Sequence, residues 1–220
     1  MCYRCYVRCI LRLTYKQKDR SMLGAMSKLK GVPAPVRRSE ARERLLSTAS
    51  RLFYSEGIRS VGVDRVMAEA DVARGTFYRH FDGKDDLVRE YLEATDQQIR
   101  DRITTAEKQI SSPADFLAAV AHGIGEEMCG AGFRGCPFIN AAAEYPDPGS
   151  LAHQAVLRHR VWFREVLGDA FRQLGAASPE RSADSMVALR DGAMVAGYLG
   201  DAQTASAVLV YGVTALVAAR

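Results

Sequence analysis

The chain has 220 residues, of which 48% are hydrophobic and 25% are charged, and this composition is typical of a folded globular protein and excludes general disorder. Its net charge of +4 is unevenly distributed: residues 1–36 hold eight Lys and Arg against one acidic residue, whereas residues 37–220 hold 22 against 25. Five cysteines in a chain of this length do not make a disulfide framework, and the first residues lack the uninterrupted apolar core of a secretory signal. We therefore expect a cytoplasmic protein.

Residues 1–36 are predicted to form a basic, disordered N-terminal arm that ends in a proline-containing linker at residues 32–36. Cys2, Cys5 and Cys9 are not predicted to bind a metal, because no fourth ligand is nearby and the interspersed arginines oppose a cation. The arm either adds nonspecific attraction for phosphate groups or is an idle tail.

The first helix is predicted to begin after Ser39, which is placed to cap it, with Glu40 in the first turn. Gly57 follows the last apolar position, where a glycine commonly ends a helix, and Ile58 is the expected apolar partner of that cap. The buried face of this helix is predicted to consist of Leu45, Ala49, Leu52 and Phe53.

Two shorter helices with a tight turn between them are predicted next. The first has apolar residues at the i, i+3, i+4 and i+7 spacing of one helical face, namely Val63, Val66, Met67 and Ala70. Asp71 then interrupts the pattern, and it suits a sharp turn because Asp enters the left-handed backbone region at modest cost. The second helix, residues 73–81, is predicted to bury Ala73, Phe77 and Phe81.

The opposite face of this second helix is small, polar and cationic. It presents Gly75 and Arg79, with Thr76 and Tyr78 on its flanks. A slim helix with such donors suits the major groove of DNA, and an exposed glycine suggests the close approach of another backbone. Asp82 is predicted to cap the next helix, whose N-terminal amides beside Lys84 suit a phosphate. The alternative is a helical hairpin with a solvated face, because this geometry also occurs without DNA binding.

A sequence signature covers the same region. The run GTFYRHF follows ADVAR and precedes GKDDL, and the helix before them ends in YSEG. Over residues 38 to 92 the chain resembles the N-terminal domain of the TetR family of one-component transcriptional regulators. The resemblance implies that Arg74, Thr76, Tyr78 and His80 contact bases or phosphates and that Lys84 contacts the DNA backbone. Asp71 and Ala73 depart from the family, which usually has Gly and then Ser or Thr at these positions.

The charge of this region constrains how it binds DNA. Residues 37–92 carry 11 basic and 10 acidic residues, so binding must come from a locally cationic face. This balance favours a dimeric, site-specific binder over a nonspecific one. We accordingly place a helix-turn-helix DNA-binding domain at residues 37–92.

The remaining chain is predicted to be helical throughout. A long helix runs from Gly83 to the break at residues 111–113, and the next occupies residues 114–129 with Ser112 as its cap. The others are a short helix at residues 137–145, a helix at residues 150–174, one that starts at residues 178–180, and one at residues 202–219. The fold class is therefore all-α with about nine helices, a three-helix DNA-binding domain being followed by a helical ligand-binding and dimerisation domain at residues 93–220.

Small residues are concentrated in the last two predicted helices. They are Gly192, Ala193, Ala196 and Gly197 in one helix and Ala205, Ala207, Gly212 and Ala215 in the other. Because both segments are apolar on more than one face, we predict that they bury a second face against their copy in a homodimer. A transmembrane helix at residues 202–219 is the alternative, although the segment is barely long enough. The resemblance likewise implies a four-helix dimer interface.

An aromatic and thioether set lies between the DNA-binding domain and these helices. Its members are Met128, Phe133, Phe138, Trp162, Phe163, Phe171, Met194 and Tyr198, with Asn140, Glu144 and His159 as polar groups. The set either lines an apolar ligand cavity or belongs to an ordinary core. The resemblance implies a small apolar or amphipathic inducer, whose binding releases a repressor from its operator.

Cys136 precedes Pro137 at a predicted helix N-terminus, where the amide dipoles favour a thiolate. The same DNA-binding scaffold can therefore serve as a redox or electrophile sensor, with Cys129 as a resolving partner. The alternative is an inert buried cysteine.

No catalytic constellation is recognisable in the sequence. His122, His153 and His159 lack the i, i+4 spacing of a metal-binding helix, and no glycine-rich phosphate loop follows a strand. We expect neither enzymatic activity nor a cofactor or metal. The predicted partners are double-stranded operator DNA, a second copy of the chain and a small-molecule inducer, with no membrane. A helical dimer without sequence-specific DNA binding is the remaining alternative.

Overall fold

The computed structural model describes residues 39–219, which fold into nine α-helices and contain no strand. The helices are α1 (Glu40–Glu56), α2 (Val63–Glu69), α3 (Arg74–Phe77), α4 (Lys84–Gln109), α5 (Pro113–Met128), α6 (Pro137–Glu144), α7 (Leu151–Leu174), α8 (Pro179–Leu199) and α9 (Ala202–Ala218). The all-α prediction is confirmed. The predicted arm at residues 1–36, with its three cysteines, lies outside the described residues.

The first three helices lie in the region 37–92 that the sequence assigns to a DNA-binding domain, and α1 packs against both of the others and against α4. Leu45, Ala49, Leu52 and Phe53 of α1 are all buried, as the periodicity predicts. Gly57 ends α1 with a φ of +92°, a conformation that favours glycine because it has no Cβ. Ile58 is buried directly after this cap. We call residues 40–81 the head.

The long helix α4 leads from the head into a bundle formed by α5 to α9. α4 packs on α1 at its beginning and on α7 further along, while α9 packs against α5 and α8. Helix ends in this part follow the sequence signals: Ser112 and Ser150 accept backbone hydrogen bonds from Asp115 and His153 as N-caps. Gly175 ends α7 in the left-handed conformation. Among the described residues, no helix is both long and apolar enough to cross a membrane.

Three local predictions are wrong. The second short helix was predicted over residues 73–81, but α3 covers only Arg74–Phe77, because the chain tightens into a turn in which the His80 amide donates to the Phe77 carbonyl. Ala73 was expected in a buried stripe with Phe77 and Phe81, yet it is exposed, because it is the extended N-cap residue of α3 with a ψ of 146° and stands outside the helical periodicity. Val72 is buried instead. Asp82 was expected to cap α4, but Gly83 holds that position with a φ of +153°, and the Asp82 amide donates to the Asp86 carboxylate.

Candidate functional site

A tight turn joins α2 to α3 within the head. Asp71 adopts a φ of 51°, as the sequence suggests, and it is the one non-glycine residue with positive φ among the described residues. Arg44 of α1 donates from Nε to the Ala70 carbonyl at 3.2 Å and from Nη2 to the Asp71 carbonyl at 3.1 Å. Arg44 therefore supports the turn from behind. Sequence reasoning missed this residue, because the contact joins positions far apart in the chain.

Helix α3 is anchored by one side and exposed on the other. Phe77 is fully buried, and its ring meets that of Tyr78 edge to face at a centroid distance of 5.0 Å. This contact leaves the Tyr78 side of the helix outside, with Tyr78 51% exposed. A Cβ added to Gly75 would have no described atom within 4 Å, so this position is open to a partner from outside. Thr76 and His80 are partly exposed on the same short segment.

The polar side chains of α3 form a connected cationic surface. Arg79 donates from Nη2 to the Thr76 hydroxyl oxygen at 2.7 Å, and the Arg74 guanidinium lies 5.7 Å from the Tyr78 ring centroid. Arg74 also approaches Asp64 at 3.5 Å, but both side chains are largely exposed, so this ion pair is weak. The surface thus offers guanidinium and hydroxyl groups that suit phosphates and base edges. We call Arg74, Gly75, Thr76, Tyr78, Arg79 and His80 the α3 surface.

Lys84 stands beside this surface at the start of α4. Its ammonium donates to the Arg59 carbonyl at 3.3 Å, so the side chain joins α4 to the segment after α1. Partial burial lowers the pKa of Lys84, while the Glu144 and Asp85 carboxylates oppose this shift. No side chain of the described residues caps the N-terminus of α4, and its amides remain suitable for an anion.

Ion pairs at the protein surface join α1 to α2. Arg65 of α2 contacts Glu56 at 2.5 Å and Glu69 at 2.9 Å, and Arg51 of α1 reaches Glu69 at 2.5 Å. Hydrogen bonds from Arg51 and Arg65 lower the pKa of Glu69, and the bond from Arg65 lowers that of Glu56. Because these groups are exposed, they fix the register of the two helices more than they stabilise the fold.

The head is joined to the helical bundle by hydrogen bonds from α6. The Glu144 carboxylate accepts from the Ile58 amide at 2.9 Å and from the Arg59 amide at 2.6 Å. At the other end of α6, the Tyr54 hydroxyl donates to the Gly135 carbonyl at 3.0 Å and accepts from the Arg134 amide at 2.9 Å. We call these contacts the α6 junction. A displacement of α6 would therefore pull directly on α1 and on the segment that follows it.

The predicted ligand-binding set is not brought together in one cavity. Phe138, Phe163 and His159 line a cavity of about 270 Å³ between α6, α7 and α8. Asn140, Glu144 and Tyr198 line a second one beside the head, and Met128 and Phe133 line a third near the start of α9. Phe171 and Met194 are buried core residues, while Trp162 lies under the Arg100 guanidinium at 4.2 Å.

Cys136 is the N-cap residue of α6, as the sequence predicts, and it is 2% exposed. The guanidinium of Arg190, itself buried, donates from Nη2 to its sulfur at 3.2 Å. Cys129, by contrast, is exposed. The two cysteines therefore differ sharply in access to solvent. Within residues 39–219, His, Cys, Asp and Glu side chains form no group of three that could hold a metal ion.

Comparisons with known proteins agree on one family. The sequence model described as bacterial regulatory proteins, tetR family, matches residues 45–91. The chain is 46% identical to the TetR-family transcriptional regulator SCO4454 of Streptomyces coelicolor, whose crystal structure superposes with a TM-score of 0.79 over 82% of this chain and 96% of that chain.

More distant relatives are similar over much of the chain as well. The HTH-type transcriptional regulator LmrA of Bacillus subtilis is 26% identical over 150 residues, which are 67% of this chain and 80% of that protein. The regulatory protein TetR of Rhodobacter sphaeroides has the same fold at 22% identity, with a TM-score of 0.69 over 81% of this chain and 98% of that chain.

Proposed function

Because the chain belongs to the TetR family of transcriptional regulators, we propose that it is a repressor that binds a twofold operator as a homodimer and is released by a small apolar or amphipathic ligand. Membership of this family implies a DNA-binding domain. Repression, release by a ligand, and the residues that contact the DNA and the ligand are what we propose.

The single observation that carries this proposal is the α3 surface. It is anchored from behind by the buried Phe77 and presents Arg74, Tyr78 and Arg79 outward beside the uncapped start of α4. We propose that the α3 surface contacts base edges and phosphates and that Lys84 contacts the DNA backbone. Lys84 would exchange or share its bond to the Arg59 carbonyl for a phosphate oxygen.

Dimerisation is supported by apolar side chains that one chain leaves uncovered. Leu199 of α8 is 78% exposed and Tyr211 of α9 is 77% exposed, with Val195, Tyr198 and Val208 also exposed on these two helices. Apolar groups clustered on adjacent helices favour burial against a partner. A twofold dimer through α8 and α9 would place two α3 surfaces on one face, about one turn of DNA apart.

Selection from a pool of random duplexes at physiological salt tests the DNA-binding proposal. We expect enrichment of a twofold sequence, and Arg79→Ala and Tyr78→Ala should each weaken binding to it by roughly tenfold, because one contact contributes about 1–3 kcal/mol. Arg181→Ala, an exposed arginine of α8, is the matched control and should bind normally. Failure to enrich any sequence, or normal binding by both α3 variants, would contradict the proposal.

A second candidate function is a thiol-based sensor on the same scaffold. The observation that favours it is the Arg190 guanidinium at 3.2 Å from the Cys136 sulfur, because a neighbouring cation stabilises a thiolate. Titration with a thiol reagent followed by peptide mass spectrometry tests it, with the exposed Cys129 as internal reference. Modification of Cys136 that releases operator DNA supports the sensor. A Cys136 that stays unmodified while Cys129 reacts completely excludes it.

A further inference from the structure

The cavity between α6, α7 and α8 has apolar walls and a charged end. Its apolar lining consists of Phe138, Ile139, Ala142, Val156, Leu157, Phe163 and Val187. Its volume of about 270 Å³ is close to the lower end of the ~300–1,000 Å³ range of ligand pockets, so an occupant must be small. We call this the α6–α8 cavity.

Both buried polar side chains of the described part of the chain, Arg190 and His159, line the α6–α8 cavity. Arg190 is 8% exposed, although burial of a cation is costly unless it is paired. A core position of helix α8 would accept an aliphatic residue without that cost. The presence of a guanidinium at this position therefore points to a ligand with complementary charge.

The partners of Arg190 leave the end of the cavity with excess positive charge. Its Nη1 donates to the Asp191 carboxylate at 2.9 Å, but that carboxylate also pairs with Arg160 at 2.5 Å. Its Nη2 donates to the Cys136 sulfur, which is a weak acceptor when it is a thiol. Two guanidinium groups thus share one carboxylate at this end of the α6–α8 cavity.

The other titratable groups near the cavity do not cancel this excess. His159 contacts the Asp96 carboxylate through Nδ1 at 2.7 Å, and burial lowers its pKa, which favours the neutral ring. Asp96 is itself paired with Arg100 at 2.6 Å. The His153 ring nitrogen Nδ1 lies 2.8 Å from the Tyr145 carbonyl. Arg190 therefore remains the group best placed to bind an added anion.

We propose that the α6–α8 cavity binds a small carboxylate with an apolar body, its carboxylate on the Arg190 guanidinium and its body against Phe138, Phe163 and Val187. A guanidinium fork matches a carboxylate through two parallel hydrogen bonds. The carboxylate would replace the weak thiol acceptor, and the apolar walls would cover the body. This inference rests on the proposed function, for which it names the chemical class of the inducer.

Calorimetric titration of the purified full-length protein tests this assignment without DNA. Benzoate, hexanoate and 1-naphthoate are each compared with the uncharged amide of the same shape. We expect at least one of these acids to bind with a Kd below about 1 mM, at least tenfold more tightly than its amide, as a charge-assisted hydrogen bond requires. If no acid binds, or if each amide binds as tightly as its acid, the proposal is overturned.

Two variants locate the site. Arg190→Gln should abolish the preference for acid over amide, whereas Arg181→Gln on the exposed face of the same helix should preserve it. If circular dichroism shows that Arg190→Gln does not fold, Val187→Trp decides instead, because it fills the cavity and leaves Arg190 in place. Loss of acid binding in Val187→Trp supports the site, and undiminished binding in that variant places the ligand elsewhere and overturns it.

Operator binding, measured separately by fluorescence anisotropy, distinguishes a failure of the proposed ligand class from a failure of the proposed repressor function. Release of the operator by a neutral apolar compound, in a protein that binds no acid, would leave the proposed function intact and overturn the ligand class. Acid binding in a protein that selects no operator would support the cavity assignment and contradict the repressor.

Discussion

At the scale of single residues, Asp71 sets the direction of α3 with a backbone conformation that most side chains avoid. Its φ of 51° is left-handed and its side chain is exposed, so the effect of a substitution there is mainly conformational. Asp71→Val should lower the free energy of unfolding by about 1–2 kcal/mol, whereas Asp71→Gly should be tolerated. Urea unfolding of both variants measures the difference. Equal stabilities for the Val and Gly variants would show that the turn does not impose this conformation in solution.

His159 couples stability to pH through its burial. Desolvation lowers the pKa of His159 in the folded protein, although its hydrogen bond to the Asp96 carboxylate opposes this shift. Near and below the ordinary pKa of 6.5, the unfolded chain therefore takes up a proton more readily than the folded one. The free energy of unfolding should therefore decrease as the pH falls through 6.5.

A phenylalanine at position 159 tests this pH dependence. In the native protein the His159 and Phe138 rings are stacked with their centroids 3.7 Å apart. His159→Phe keeps an aromatic ring at this position but removes the titratable group. Its stability should fall less than that of the native protein between pH 7.5 and pH 5.5 in urea unfolding experiments. An equal loss of stability in both proteins would show that other groups cause the acid sensitivity.

At the scale of elements, α6 connects the α6–α8 cavity with the head. Phe138 lines the cavity near the start of this helix, and Glu144 at its end accepts from the amides of Ile58 and Arg59. The helix has only eight residues, so a displacement caused by a ligand at its first turn would reach its last turn. Under the proposed function, the α6 junction would carry the effect of a ligand in the cavity to the head.

Hydrogen exchange can test the α6 junction without a ligand. Glu144→Gln removes the charge and one of two acceptor oxygens, at a cost of about 1 kcal/mol for one hydrogen bond. The amides of Ile58 and Arg59 should then exchange roughly fivefold faster, while core amides such as Leu52 keep their rates. Glu126→Gln on the exposed face of α5 is the matched control. Unchanged exchange at both amides would mean that Glu144 does not hold the head.

The elements also show what the sequence can and cannot predict. Caps and breaks are local signals, so the Ser112 cap of α5 and the extent of α7 over residues 150–174 were predictable. The prediction for Ala73 was wrong because it applied the helical periodicity from residue 73, whereas α3 begins at Arg74. The residues predicted to bind one ligand are distributed over three cavities. This distribution could not be predicted, because helical periodicity does not encode the contacts between distant residues that pack α6 against α7 and α8.

At the scale of the whole molecule, the proposed binding of DNA requires two copies of a small surface. The α3 surface lies within seven consecutive residues of each chain, and residues 37–92 carry almost as many acidic as basic residues. A single head would therefore bind weakly. A dimer binds both half-sites with the second contact made intramolecular, which multiplies the affinity without any new interaction. The proposal therefore predicts that the exposed apolar residues of α8 and α9 are as important for DNA binding as Arg79.

A charged residue introduced among the exposed apolar residues of α8 and α9 distinguishes an effect on dimerisation from an effect on folding. Tyr211 is 77% exposed in one chain, so Tyr211→Glu should leave the helical content and the thermal stability of the monomer nearly unchanged. In the dimer the same glutamate would be buried near its own copy without a partner, and association should weaken by at least a hundredfold. Sedimentation equilibrium measures this shift, and operator anisotropy should show a parallel loss of affinity. Gln98→Glu on the exposed face of α4 adds the same charge outside the face and should remain dimeric. A Tyr211→Glu protein that stays dimeric would place the twofold contact on another surface.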